Sequence, residues 1–133
     1  MTQKVFINLP VTDLPRATAF YNALGFPTNP QFSNEMASSI VLSEHNYIML
    51  LTHPFFAGFT PKPIADAHQV SEVLLALDCE SREAVDAMVD KALAAGGATY
   101  AEAKDMGFMY SHGFADPDGH IIEVFWMPGP PPG

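Results

Sequence analysis

The sequence predicts an α+β fold built from two βαβββ modules, and three observations carry that prediction. Short runs rich in β-branched and aromatic residues alternate with two helical periods. Each helix has a capping residue before it and glycine after it. The order of elements over residues 70–127 repeats the order over residues 1–52. At 133 residues the chain is long enough to enclose a core, and it reads as one domain, 1–133, with a crossover over 53–69 and a tail over 128–133.

Module one begins with Val5-Phe6-Ile7-Asn8-Leu9, a short strand that stops at Pro10. In "TDLPRATAFYNALGF", Asp13 or Thr12 can cap the first turn, Pro15 fits that turn, and Gly25 can end the helix. Leu14, Ala17, Phe20, Tyr21 and Leu24 recur at helical spacing and give it one apolar face. Strands are predicted at Gln31–Ser33, Ala37–Ser43 and Tyr47–Thr52, with "EHN" turning between the last two. The stretch "HPFFAGFTPKPIADAHQ" has neither a helical nor a strand period and reads as a long crossover loop.

Module two opens with a strand over Glu72–Asp78, "EVLLALD". A helix follows in "SREAVDAMVDKALAAGG", with Ser81 as cap and Gly96-Gly97 as stop. Strands are predicted at Ala98–Ala101, Phe108–Phe114 and His120–Met127, and the tail "PGPPPG" reads as a frayed end. Within the last strand, alternation places Glu123 with Ile121 and Phe125 on one face, and sends Trp126 to the other. A carboxylate among such neighbours is costly unless something compensates it, which makes Glu123 the first candidate for function.

The net charge of −9 is uneven: −1 over residues 1–52 and −8 over 53–133. Nucleic-acid binding wants the opposite sign. The longest apolar runs, such as Tyr47–Leu51, are far too short to span a bilayer, and no signal peptide is visible after Met1. Cys79 is the only cysteine, so no internal disulfide forms, in agreement with a cytoplasmic location.

Taken together, "LPVTDLPRATAFYNALGF" in module one and "FADPDGHIIEVFW" closing module two resemble the vicinal-oxygen-chelate superfamily. That superfamily includes glyoxalase I, extradiol dioxygenases, fosfomycin-resistance enzymes and bleomycin-resistance proteins, and the chain is most similar in texture to lactoylglutathione-lyase-related proteins. The resemblance implies that each module curls into a half-barrel cup and that two chains pair as a homodimer around a small-molecule ligand. It also implies four cup-facing metal-ligand positions: Phe6, Leu50, Glu72 and Glu123. Two of these are apolar and one is Glu where the family has His. The expectation is therefore a tetrad broken at Phe6 and Leu50, no resident cofactor, and at most a weak site for Mg²⁺ or Mn²⁺ on Glu72 and Glu123. A slip of two residues in module one would bring Asn8 or Thr52 to the site.

The dioxygenase signature wants a tyrosine ten residues before the final Glu, and Gly113 stands there, so ring cleavage is not expected. The resulting functional reading is a bleomycin-resistance-type binder whose cup is lined by Phe6, Asn8, Leu50, Thr52, Phe56, Tyr110, His112 and Phe125. The alternative is a metal-dependent lyase or isomerase using Glu72 and Glu123 as catalytic carboxylates.

Overall fold

A computed structural model describes residues 3–129; the expected frayed tail falls mostly outside the described residues. The elements run β1 (Val5–Val11), α1 (Leu14–Ala23), β2 (Thr28–Asn29), a 3₁₀ turn (Pro30–Phe32), β3 (Ala37–Ser43), β4 (Asn46–Thr52), α2 (His53–Ala57), β5 (Leu75–Asp78), α3 (Arg82–Ala94), β6 (Lys104–Asp105), β7 (Tyr110–Ala115) and β8 (Ile121–Trp126). They divide into two compact units, before and after the Val70–Ser71 junction. Each unit holds one four-stranded mixed sheet with the same topology, β1-β4-β3-β2 in the first and β5-β8-β7-β6 in the second. The first and last strands of each unit run parallel and the other pairs antiparallel. The doubled βαβββ order is therefore as the sequence predicts.

Both helices start and stop where their punctuation says. The Asp13 carboxylate accepts from the Arg16 backbone N–H at 3.1 Å, and the Ser81 hydroxyl accepts from that of Ala84 at 3.0 Å. Gly25 and Gly96 sit at φ of 106° and 105°, the left-handed conformation that ends a helix and that side chains resist.

Each helix covers one face of its own sheet. In the first unit Thr18 of α1 shares a 2.7 Å hydrogen bond with Ser38 of β3, so α1 lies on the Ser38 face. Strand pairing puts Ile40, Ile48, Leu50, Leu9 and Val11 on that same face, and all five are buried. In the second unit Val85, Val89 and Ala92 of α3 are buried, as are Phe114, Ile122 and Val124 of the sheet. A fully buried side chain of this kind contributes about 1.5–3 kcal/mol, so these helix-side faces are what hold each unit together.

The differences from expectation lie at strand ends and in loops. The predicted strand at Gln31–Ser33 is a short 3₁₀ turn, started by Pro30 and capped by Asn29, whose side chain accepts from Gln31 N–H at 3.0 Å. The two-residue strand β2 precedes it. Ala98–Ala101 supplies only a single bridge, Ala98 to Ala115, and the edge strand is Lys104–Asp105 instead. The crossover is not wholly irregular: His53–Ala57 forms one short helix, and Phe55 meets Phe59 edge-to-face at 5.2 Å. β5 begins at Leu75, so Glu72 lies ahead of it on an exposed segment.

Candidate functional site

The turn "DPDG" sets the geometry of the second sheet. The Asp116 carboxylate accepts from the backbone N–H groups of Asp118 and His120, each at 2.9 Å, and this closes the β7–β8 hairpin in one register. Gly113 then falls directly opposite Glu123, with Ala76 of β5 on its other side. The next row is Asp78, Phe125, Ser111 and Lys104. These residues share the face turned away from α3.

Glu123 and Phe125 thus lie on one face, as alternation predicts, and both are half-buried. A cavity of about 400 Å³ opens at Phe125, lined by Ala76, Asp78, Cys79, Phe125, Met127 and Gly129. Burial, with help from the neighbouring charges of Asp78 and Glu80, pushes the Cys79 thiol above its ordinary value. That disfavours the thiolate, and the cysteine lines the cavity as a thiol.

A residue that sequence reasoning missed completes this face. The Tyr100 phenol reaches over Gly113, into the space a β-carbon at that position would fill. Burial raises the phenol's pKa above its ordinary value, and the nearby charge of Glu123 adds to the shift. The residue as a whole remains 45% exposed.

Tyr110 and His112 are corrected. Their parity is that of Val124 and Trp126, so they stand on the α3 side of the sheet, opposite Glu123. The Tyr110 hydroxyl donates to Asp86 of α3 at 2.7 Å. Arg82 stacks over the Tyr110 and Trp126 rings at 5.0 and 5.4 Å and pairs with Asp105 at 2.7 Å. Tyr110 therefore docks helix to sheet, and Trp126 is on the α3 side, away from Glu123, as alternation predicts.

In the first unit, Phe6 and Asn8 share the face away from α1, where Phe6 stacks on Tyr47 at 4.8 Å. Leu50 and Thr52 do not share it: Leu50 pairs with Leu9, is 0% exposed, and lies under α1, and Thr52 has the same parity. The residue of β4 beside Asn8 on the open face is Met49. Phe56 lies half-buried in α2, which packs against β1 and β4.

The internal repeat also re-registers Glu72. The caps Asp13 and Ser81 are equivalent, so Phe6 corresponds to Leu74, and Asn8 beside Met49 corresponds to Ala76 beside Glu123. Leu74 is 54% exposed. The strand partner of Glu123 is Ala76, and Glu72 lies ahead of β5 on an exposed segment, outside that pairing. The four equivalent positions hold Phe6, Met49, Leu74 and Glu123, a set with one oxygen donor side chain, which does not fit a resident divalent metal. Among the described residues no three of His, Cys, Asp and Glu converge on a common point.

The family model described as Glyoxalase/Bleomycin resistance protein/Dioxygenase superfamily matches residues 5–124. Among solved structures, hypothetical protein SA1046 from S. aureus is 30% identical, with 95% of each chain covered and a TM-score of 0.80. A glyoxalase-related enzyme from Fulvimarina pelagi is 21% identical, covering 100% of this chain and 94% of its own, with a TM-score of 0.83. TnmS3, an antibiotic binding protein from Streptomyces sp. CB03234, is 20% identical, covering 96% and 97%, with a TM-score of 0.64. No curated protein matches the chain. With its doubled βαβββ sheets and a family match across nearly its whole length, the chain belongs to the glyoxalase/bleomycin resistance protein/dioxygenase superfamily.

Proposed function

We propose that the protein binds a small organic molecule on the Glu123 face of its second sheet, without a metal tetrad. The observation that carries this reading is half-buried Glu123, paired across the strands with Ala76, which walls a cavity together with Phe125 and Met127. A concave, largely apolar wall with a few polar groups is the usual form of a small-molecule site. Lyase chemistry in the glyoxalase manner asks for more metal ligands than Glu123 alone supplies. That an antibiotic binding protein shares the fold gives precedent for small-molecule binding on it.

Pairing of two chains is part of the same reading. Phe6 leaves 50% of its surface exposed and stacks on Tyr47 on the open face, and an exposed aromatic pair of this kind favours a covering partner. Light scattering should give twice the 14.4 kDa chain mass; a stable monomer at micromolar concentration would remove the dimer from the proposal.

The binding reading is tested by thermal-shift screening of small organic molecules in the presence of a chelator. Hits should stabilise the protein, and Glu123→Gln should abolish or weaken the shift. Hits equally strong on the variant would sink the assignment of the site. Isomerisation of the methylglyoxal–glutathione adduct should stay at background with Mg²⁺, Mn²⁺, Ni²⁺ or Zn²⁺ added.

A further inference from the structure

We propose that Tyr100 and Glu123 act as one recognition pair, admitted by the missing side chain at Gly113, and that they select ligands carrying a hydrogen-bond donor beside an acceptor. The inference rests on the binding reading above and names the chemistry of the ligand.

Three placements carry it. Gly113 is buried and sits directly across the strand pair from Glu123. A β-carbon there would collide with the Tyr100 hydroxyl and come within 3.0 Å of both the Tyr100 ring and the Ile122 carbonyl. Tyr100 comes from the irregular segment between α3 and β6, so its phenol is delivered over the sheet from outside the β7–β8 hairpin.

The chemistry follows from the two groups. An ionised carboxylate only accepts, whereas a neutral phenol donates. A primary amide or an α-hydroxy carbonyl offers the matching donor and acceptor side by side. Phe125, one row along the same face, gives an aromatic body a surface to lie against. The phenol keeps its proton as a donor over neutral pH, its ionisation being pushed up first by burial and then by the Glu123 charge. A phenol that merely plugged the gap over Gly113 would not tell a ligand that carries an acceptor from one that does not.

Two measurements separate these roles. The first needs no ligand: ring-carbon NMR of the tyrosines is followed through alkaline pH, with Tyr100→Phe assigning the signal. Tyr100 should ionise above the ordinary value of 10.0, and its midpoint should move down in Glu123→Gln and in Gly113→Ala. A midpoint that neither substitution moves would overturn the pair.

The second uses benzamide, which carries donor and acceptor, and benzamidinium, which carries donors alone. Loss of one hydrogen bond in Tyr100→Phe should weaken benzamide about fivefold and leave benzamidinium unchanged. Equal effects on both probes, or none, would overturn the donor role of the phenol. If neither probe perturbs the Glu123 face of the unmodified protein, the ligand class proposed here is overturned, while binding of other small molecules to that face in the thermal-shift screen keeps the binding reading.

Discussion

The two units share a topology, a strand order and a helix cap at the equivalent place, yet their open faces carry different chemistry. In the first unit the β1 end of that face presents Phe6 stacked on Tyr47, with Asn8 and Met49 beside them, and further across it closes over buried Ser39 and Leu51. In the second the equivalent of Met49 is Glu123, joined by the Tyr100 phenol and followed by the row Asp78, Phe125, Ser111 and Lys104. The helix-covered faces differ much less, both being aliphatic and aromatic. The difference teaches where selection can vary the chemistry: a repeat must keep its packed face, and it is free to change the face that packing leaves open.

The sharpest way to break this comparison is to put charge on each side of one strand. Leu50→Asp places an uncompensated carboxylate under α1 and should cost more than about 4 kcal/mol in urea unfolding, enough to unfold the first unit. Met49→Asp, one residue away on the open face, should cost about 1 kcal/mol or less. Equal losses would mean that the two faces of β4 have been exchanged.

A gain of function sharpens the same point. Phe6→His with Met49→Glu puts a nitrogen and a carboxylate on one face at diagonal cross-strand spacing, about 7–8 Å between backbones and within side-chain reach. Zinc or nickel affinity, read by competition with a chelating dye, should rise at least tenfold. Phe6→His with Leu50→Glu should bind no more metal than the unmodified protein and should lose stability. If the Leu50 variant were the one to gain metal, the registration of β4 against β1 would be wrong.

A smaller effect is expected in alkali. Tyr100 is raised above its ordinary value by burial, and Tyr110 is raised by its hydrogen bond to Asp86 and then by burial. Each phenol therefore holds its proton more tightly in the folded state than in the unfolded one. The stability this provides is fully present below the ordinary value of 10.0 and is lost as pH rises through the folded values. Tyr110→Phe should flatten part of that alkaline decline and, because Tyr110 faces α3, leave ligand binding unchanged. Its cost at neutral pH should stay under about 1 kcal/mol, since the hydrogen bond to Asp86 is exposed.

Much of the fold was legible because local chemistry fixes it. Asp13, Ser81, Gly25 and Gly96 mark the helices by hydrogen-bonding and backbone rules that need no tertiary context. Strand limits were less so, since the apolar Val73 and Leu74 read like strand residues and yet stand exposed ahead of β5. Of the site, Glu123 and Phe125 could be seen as neighbours by alternation alone. The misplacement of Tyr110 and His112 was avoidable: the "DPDG" turn fixes the hairpin register, and that register sends both to the far side from Glu123. Leu50 went wrong for a different reason, because an apolar run such as "IMLL" has no alternation to say which residue faces the helix. Tyr100 left no signal of its own. It lies in an aperiodic segment, and only the empty position at Gly113 hinted that something else fills the space opposite Glu123.

Amide NMR mapping of the protein with a library of small organic fragments, run with and without a chelator, tests the central claim most directly. The account predicts that binders perturb Ala76, Gly113, Glu123 and Phe125, and that the pattern is unchanged when the chelator is present. Perturbations confined to Phe6, Asn8 and Met49, or a pattern that vanishes when metal is removed, would contradict it.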